Sequence, residues 1–199
     1  HATQQAFGLR KPEAVAEALR DDTRLVSVIH ANNEIGTIQP IAEIAEVCHK
    51  QGVLVHTDSA QSIGKIEVDV AALGVDLLSV AGHKFYAPKG VGALYVRRGV
   101  QLEPLLHGAG HESGQRAGTE NTAFIAGLGR AADLVRMNLE SSAERMEALR
   151  DELWELLREA VGAGLKRNGE GADILPNTLS LRFPGVVGHD MLARVPELC

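Results

Sequence analysis

The sequence predicts an α/β protein in which a mostly parallel sheet lies between helices. Short apolar segments alternate with stretches whose apolar residues recur at helical spacing, and the connections between them are short. That alternation is typical of parallel sheets with helices packed against them. The composition agrees, because 45% of the 199 residues are hydrophobic but only 4% are aromatic. Small apolar side chains of this kind allow helices and strands to pack closely.

The first half of the chain supplies most of the predicted sheet. Residues 11–20 open with Pro12 and show helical spacing, so they predict the first helix. Pro40 begins a second helix, and Gly52 closes it. A helical crossover is predicted around Val68–Leu73. The predicted strands are 25–29, 53–57, 76–80 and 92–96.

The second half is predicted to be mainly helical. Thr119 or Asn121 could cap a helix that runs to about Met137, and Ser141 with Glu144 has the spacing of a capping box for a second, long amphipathic helix. A strand is predicted at 177–183 and a short helix near Asp190. We place a domain boundary near residue 135, which gives two domains, 1–135 and 136–199.

Charge and cysteine content exclude several classes of function. The formal net charge is −6 and there is no basic run, so nucleic acid and anionic membranes are not expected partners. The two cysteines are too few for a disulfide framework, which favours the reducing cytoplasm. No apolar run reaches the roughly 20 residues of a membrane helix. A chain that begins at His1 and stops at Cys199 is expected to be an internal fragment of a longer protein.

Three polar loops are predicted to meet at one edge of the sheet. They follow successive strands at residues 30–36, 58–61 and 82–90. Ligands of open α/β sheets bind beyond the carboxyl ends of the strands. The third loop carries His83 and Lys84 directly after a buried strand. A lysine in that position either reaches for water or has the lowered pKa of an amine that forms a Schiff base.

Asp58, at the end of a neighbouring strand, gives the lysine a chemical context. Alone, this aspartate could form a turn, bind a metal, orient a histidine or pair with a protonated ring nitrogen. An amine for an aldehyde and a carboxylate for a pyridinium nitrogen are together the two groups that a pyridoxal phosphate site needs. The pair Lys84 and Asp58 therefore favours that cofactor.

Other reactive side chains are assigned no function. His107 and His111 have a helical metal-site spacing, but Gly108 and Gly110 disfavour a helix there, so no metal is expected. Cys48 lies on the apolar face of a predicted helix and is interpreted as a small buried hydrophobe. His49 and His56 have no evident partners in the sequence and are interpreted as structural.

Four motifs resemble the cysteine desulfurases, which belong with the selenocysteine lyases to the class V aminotransferase family of fold type I pyridoxal phosphate enzymes. In chain order they are His30-Ala-Asn-Asn-Glu-Ile-Gly36, His56-Thr-Asp-Ser-Ala-Gln61, Ala81-Gly-His-Lys-Phe-Tyr-Ala-Pro-Lys-Gly90 and Arg116-Ala-Gly-Thr-Glu-Asn121. The resemblance covers about residues 20–190. It implies that residues 1–135 are part of the cofactor-binding large domain and that 136–199 begin a smaller α+β C-terminal domain.

The resemblance also implies a role for each site residue. Lys84 corresponds to the Schiff-base lysine, and Asp58 to the partner of the pyridine nitrogen. The remaining cofactor-binding positions are Gln61 at the phenolic oxygen, Asn33 near that oxygen and the substrate carboxylate, His83 at the phosphate, and Thr119 at the phosphate of the neighbouring subunit. The last of these roles implies a homodimer.

The implied activity is removal of sulfur from L-cysteine to give alanine and a persulfide on an enzyme cysteine. That persulfide would supply iron–sulfur cluster assembly or another thiolation pathway through a sulfur-acceptor or scaffold protein. The family's catalytic cysteine lies beyond the end of this chain, so Cys199 is not assigned that role, and the fragment alone is expected to be inactive. Two positions depart from the family pattern: Ala81 stands where many relatives have serine, and Ser113 where arginine is common.

Several alternatives remain at this stage. Within the family they are a selenocysteine lyase, an aminotransferase, or an epimerase acting on another amino acid. Outside it, the chain could be a non-catalytic α/β scaffold or binding protein that keeps the fold without the cofactor. Lys84, Asp58 and Gln61 together weigh against that last alternative.

Overall fold

A four-stranded sheet with the order β1-β2-β3-β4 is the centre of the fold. The computed structural model describes residue 9 and residues 11–194. The strands are β1 (Leu25–Ile29), β2 (Leu54–Asp58), β3 (Leu77–Ala81) and β4 (Gly92–Val96). The first three are parallel, and β4 runs antiparallel to β3. The sequence predicted all four strands to within one residue, and the mostly parallel α/β fold is confirmed.

Three helices pack on one face of this sheet: α1 (Pro12–Ala18), α2 (Ile41–His49) and α3 (Val70–Leu73). They bury the predicted apolar side chains of α2 against the strands, in a core that includes Ile41, Ile44, Ala45, Cys48, Val55, Val75 and Leu78. The crossover helix α3 is only four residues long, and Asp69 caps it by accepting from the amides of Ala71 and Ala72.

A buried carboxylate fastens the amino-terminal edge of the sheet. Asp76 is 3% exposed and accepts from the Val55 amide at 2.7 Å and from His49 Nε2 at 2.9 Å. Arg97 approaches the same carboxylate at 3.5 Å and donates to two backbone carbonyls beside it. Buried charges persist when they are paired in this way. His49, interpreted from the sequence as structural with no evident partner, thus has a structural partner in Asp76.

The second half of the chain is dominated by one 40-residue helix, α4 (Thr122–Val161). Asn121 caps it by accepting from the Phe124 amide, which confirms one of the two predicted caps. The predicted break before Ser141 is wrong, because the Ser141 hydroxyl donates to the Asn138 carbonyl within the continuous helix. A serine within a helix can bond back to the preceding turn, so capping-box spacing alone does not start a helix.

Short elements follow α4. The strands β5 (Lys166–Arg167) and β6 (Leu181–Arg182) form a separate antiparallel pair, and α5 (Gly188–Leu192) is the short helix predicted near Asp190. The predicted strand 177–183 is therefore reduced to two residues. The segment before β6 instead contacts the loop after β1, because Ile38 donates to the Asp173 carbonyl and Leu175 donates to the Gly36 carbonyl.

None of the helices in the described part of the chain is both long and apolar enough to cross a bilayer. The longest, α4, carries charged side chains at short intervals from Arg130 through Glu159.

Candidate functional site

The predicted polar loops do lie at one edge of the sheet. The backbone joins the carboxyl ends of the parallel strands, because the His30 amide donates to the Asp58 carbonyl at 2.8 Å and the Ser59 amide donates to the Ser79 carbonyl at 3.1 Å. The structure therefore brings the loops after β1, β2 and β3 together at the edge where α/β sheets bind ligands.

The loop after β1 presents Asn33. Its neighbour Asn32 uses its side-chain oxygen to accept from the amides of Glu34 and Ile35 at 2.8 and 2.9 Å, which forms a tight local turn. Gly36 completes the turn with a φ of 78°. Asn33 is left exposed, and its side chain makes no hydrogen bond within the described residues.

Asp58 is the last residue of β2, and one of its oxygens is already engaged. Oδ1 accepts from the Ala60 amide at 2.9 Å, which orients the carboxylate. Asp58 makes no ion pair with any described residue, and Gln61, in the turn that follows, makes no side-chain hydrogen bond within the same part of the chain. The turn therefore holds an oriented carboxylate and a nearby amide with free bonding capacity.

Lys84 lies in a 3₁₀ helix, Gly82–Phe85, that begins where β3 ends. Phe85 is buried against Ala131 of α4, whereas His83 and Lys84 are exposed. Gly82 allows this close packing, because a Cβ there would lie 2.8 Å from the Val91 carbonyl oxygen and 3.0 Å from Leu128 Cδ1. A buried phenylalanine and a tightly packed glycine thus fix the backbone that carries the lysine.

A cavity of about 750 Å³ adjoins Lys84 between the 3₁₀ helix and α4. Its apolar wall includes Phe85, Leu134 and Val135, and four basic side chains line it (Lys65, Lys84, Arg130 and Arg145), with no carboxylate among the described lining residues. Burial, together with the charge of Lys84, lowers the pKa of Lys65. The cavity therefore surrounds the lysine with uncompensated positive charge.

Thr119 is not brought to this edge by any direct contact. It is exposed at the end of the glycine-rich loop before α4, and it makes no hydrogen bond or ion pair to the other predicted site residues in the described part of the chain. The loop bends sharply, with Glu112 and Ser113 at φ of 48° and 57°. Such values are uncommon for residues other than glycine.

His56 is the site-edge residue that sequence reasoning missed. The sequence offered no evident partner for it and suggested a structural role, but the structure gives it two partners: Nδ1 lies 2.7 Å from Ser27 Oγ and Nε2 lies 2.9 Å from Ser79 Oγ. The two serines lie 29 and 23 residues away in sequence, on the flanking strands. The available signal was the position of His56 two residues before Asp58, which puts both side chains on one face of β2.

The free groups at this edge fit the predicted cofactor. Pyridoxal phosphate requires an amine, a carboxylate and hydrogen-bond donors for its ring and phosphate oxygens. Lys84 supplies the amine, Asp58 the oriented carboxylate, and Asn33, Gln61 and His83 supply donors that are unused within the described residues. Those same residues contain no group of three or more histidine, cysteine or acidic side chains placed to hold a metal ion.

The fold and the site thus define an α/β protein that gathers an amine, a carboxylate and amides at the carboxyl edge of a mostly parallel sheet. A sequence model of the aminotransferase class-V family matches residues 1–197. The chain belongs to this family, and its fold is that of the fold type I pyridoxal phosphate enzymes.

Its relatives are cysteine desulfurases. The chain is 44% identical to the cysteine desulfurase IscS of Dictyoglomus turgidum over 93% of its own length, which is 47% of that relative. It is 45% identical to the enzyme of the same name from Methanosarcina thermophila, over 94% of this chain and 46% of the relative. The chain therefore spans about half the length of the curated relatives it matches.

Solved structures agree. A NifS-like protein superposes with a TM-score of 0.90 and 39% identity over 97% of this chain and 53% of the other. A structure described as SspA in complex with cysteine gives a TM-score of 0.80 and 37% identity over 99% of this chain and 53% of the other. DndA of Streptomyces lividans gives a TM-score of 0.84 and 36% identity over 98% of this chain and 56% of the other.

Proposed function

We propose that the complete protein is a pyridoxal phosphate-dependent cysteine desulfurase. The observation that carries the proposal is that Lys84, just beyond β3, and the oriented Asp58 carboxylate, at the end of the adjacent strand, lie at the same edge of the sheet. The cysteine desulfurase relatives, at 44% and 45% identity, support the same activity. Fe–S cluster assembly or another thiolation pathway is the proposed destination of the sulfur.

Lys84 and Asp58 hold the reactive ends of the cofactor. The Lys84 amine would bind the aldehyde carbon covalently, and the Asp58 carboxylate would accept a hydrogen bond from the protonated ring nitrogen. Gln61 donates to the phenolic oxygen, Asn33 lies near that oxygen and the substrate carboxylate, and His83 binds the phosphate. When bound, the cofactor supplies an electron sink for the α-carbon of an amino acid substrate.

Lys84 then acts on the substrate. With the cofactor bound, the Lys84 Nζ would be the group that takes the α-proton of the substrate. The Asp58 carboxylate would stay hydrogen-bonded to the ring nitrogen through this step.

The sulfur passes to a cysteine thiolate. Cys48 is a poor candidate, because it is fully buried in the α2 core and burial raises the pKa of its thiol. Cys199 lies outside the described residues. We assign the sulfur-accepting thiolate to a part of the complete protein beyond this chain.

The assembly and location proposed for the complete protein follow the same family logic. Two copies form a homodimer in which Thr119 of each reaches the phosphate site of the other. The exposed position of Thr119 suits such a contact. A sulfur-acceptor protein receives the persulfide, and the setting is the cytoplasm.

Measuring both products from L-cysteine tests the proposed activity. The complete protein loaded with pyridoxal phosphate is expected to release alanine and, with a reductant, an equal amount of sulfide. The K84A variant is expected to lose at least about a thousandfold in rate, the scale of a lost covalent and proton-transfer group. Alanine formation only from selenocysteine would reassign the protein as a selenocysteine lyase, and a protein that never binds the cofactor would be a scaffold.

A further inference from the structure

A turn in the second half of the chain holds the loop that carries Asn33. The turn spans residues 175–178 and is closed by a hydrogen bond from the Thr178 amide to the Leu175 carbonyl at 3.2 Å. The Leu175 amide donates to the Gly36 carbonyl at 2.8 Å, and Leu175 is only 1% exposed. A buried backbone hydrogen bond therefore joins the 175–178 turn to the loop after β1.

Close packing reinforces the same contact. A Cβ built on Gly36 would lie 2.7 Å from the Thr178 Cβ, so the turn lies directly against the loop backbone. The Gly36 amide in turn donates to the Asn32 carbonyl at 3.1 Å, and Asn33 lies within the segment that this hydrogen bond closes. The position of the 175–178 turn therefore fixes the backbone that presents Asn33.

Arg150 of α4 holds the turn from its other side. The arginine side chain is 8% exposed, and Nη1 donates to the Leu175 carbonyl at 3.3 Å. Two carboxylates orient the guanidinium: Asp151 accepts from Nε at 2.8 Å and from Nη2 at 3.1 Å, and Glu147 accepts from Nη2 at 2.8 Å. Bidentate pairing of this kind fixes the direction of a guanidinium as well as its charge. The remaining nitrogen is thereby directed at the turn.

Arg158, on the same helix, shows what an arginine without this contact looks like. It also pairs with a glutamate three residues earlier, Glu155, but its side chain is 60% exposed. Within the described residues its guanidinium donates to no backbone carbonyl. Exposed ion pairs contribute little to stability. Burial and the bond to Leu175 therefore set Arg150 apart from the surface ion pairs of α4.

We propose that Arg150 is a positioning residue for Asn33, acting through the 175–178 turn. Each link is a hydrogen bond of the structure: Arg150 to Leu175, Leu175 to Gly36, and Gly36 to the carbonyl beside Asn33. The links connect α4, in the second half of the chain, to the loop at the carboxyl edge of the sheet. They align Asn33 with the substrate carboxylate and the phenolic oxygen of the cofactor, a role of Asn33 that rests on the proposed function.

Hydrogen exchange tests the coupling without reference to activity. In the complete protein, R150M is expected to raise deuterium exchange in the peptide spanning residues 31–38 on the order of tenfold, the scale of one lost hydrogen bond to a charged group. Exchange in the peptide spanning residues 54–58 of β2 is expected to stay unchanged, because a local effect does not open the sheet. R158M, the matched control, is expected to change neither peptide.

A double-mutant cycle tests whether the effect reaches Asn33. With L-cysteine as substrate, R150M and N33A are each expected to lower kcat/KM on the order of tenfold, since a positioning group is lost in both. If Arg150 acts through Asn33, adding R150M to N33A lowers kcat/KM by less than about twofold more. Losses that multiply in the double variant would show that Arg150 acts elsewhere and would overturn the proposal.

The exchange results can overturn it as well. Unchanged exchange at residues 31–38 in folded R150M, or an equal rise in R158M, would show that Arg150 does not hold the loop. If R150M does not fold, D151N decides by the same comparison, because it keeps the arginine but removes a charge that orients it. A wild-type complete protein that forms no alanine contradicts the proposed function instead, and the exchange measurement still decides the coupling.

Discussion

Three polar atoms at the site edge are buried without a hydrogen-bond partner among the described residues: His30 Nδ1, Thr37 Oγ1 and Ser59 Oγ. Each is a liability in a folded protein, since an unpaired buried polar group destabilises by about 1–3 kcal/mol. His30 is the titratable one, and it is only 3% exposed. Burial lowers its pKa from the ordinary 6.5, because a protonated imidazole would be desolvated.

This lowered pKa predicts how stability responds to acid. Between the folded pKa of His30 and 6.5, the unfolded chain binds more protons than the folded one, so stability rises with pH across that window. Below the folded pKa of His30, the stability that the neutral imidazole contributes is fully lost. The free energy of unfolding is expected to change by at most about 1.4 kcal/mol per pH unit, the slope for one proton.

Denaturant titrations of the complete protein between about pH 5 and 7.5 check this, since that range brackets the ordinary histidine pKa. H30N is expected to flatten the slope, and H189Q, at an exposed histidine of α5, is expected to keep it. An H30N protein with the wild-type pH dependence would show that another group is responsible.

Cys48 gives a second prediction at this scale. Its burial in the α2 core means that the C48A variant should keep the wild-type rate of alanine formation within about twofold. The same change removes a packed sulfur and is expected to cost roughly 1–2 kcal/mol of stability. Denaturation and product assays on the complete protein measure both. Loss of turnover in a folded C48A protein that still binds cofactor would make Cys48 the sulfur acceptor.

Local sequence was sufficient to predict some site residues but not others. The positions of Lys84 and Asp58 at the ends of their strands could be predicted, because the strand pattern alone locates them, whereas their roles stay predictions. The partners of His49 and His56 could not be predicted, because they depend on the register between strands more than 20 residues apart. A one-residue slip in that register would put His56 on the other face.

The same distinction holds for whole elements. The strands of the sheet were predicted because short apolar runs bounded by polar loops are a local signal. Helix α4 was predicted as two helices because Ser141 and Glu144 imitate a start signal, whereas favourable helix formers on both sides allow the helix to continue. The domain boundary near residue 135, between the proposed domains 1–135 and 136–199, stays a prediction and falls within α4.

Gly82 tests whether the 3₁₀ helix positions the lysine. In G82A the new Cβ would contact the Val91 carbonyl and Leu128, so the turn that carries Lys84 must shift. Overpacking of this kind costs about 1–3 kcal/mol, and we expect the bound pyridoxal phosphate to fall along with the stability. Thermal melting and the cofactor content of the purified complete protein measure the two effects.

Gly129, which lies on α4, is the matched control, because a Cβ added there would meet no neighbouring atom within 4 Å. G129A is expected to stabilise the protein by about 0.5–1 kcal/mol, since alanine favours a helix interior over glycine. Full cofactor content in G82A would show that the turn tolerates the shift and that Gly82 does not position Lys84.

At the scale of the whole molecule, one face of the sheet is open. Helices α1, α2 and α3 pack against the other face. On the open face, Leu25 and Leu94 are 48% and 50% exposed. On α4, Leu134 and Met137 are exposed as well. Apolar surface of this extent is an aggregation liability when nothing covers it.

The 199-residue chain expressed alone is therefore expected to self-associate, whereas the complete protein should give one sharp species. Sedimentation velocity over a wide range of concentration distinguishes the two. L25K and L94K together are expected to reduce association of the short chain, and a matched pair of changes at exposed polar sites, Q51K and Q101K, should not. A monodisperse monomer of the unmodified chain would contradict the importance of this face.

The central claim is that Lys84 is the residue that carries pyridoxal phosphate. The most direct measurement is to record the visible spectrum of the complete protein, reduce it with borohydride, and locate the modified peptide by mass spectrometry. The claim predicts a yellow protein that bleaches on reduction and a pyridoxyl group on Lys84. An unmodified Lys84 in protein saturated with pyridoxal phosphate would contradict it and leave a binding protein on an inherited fold.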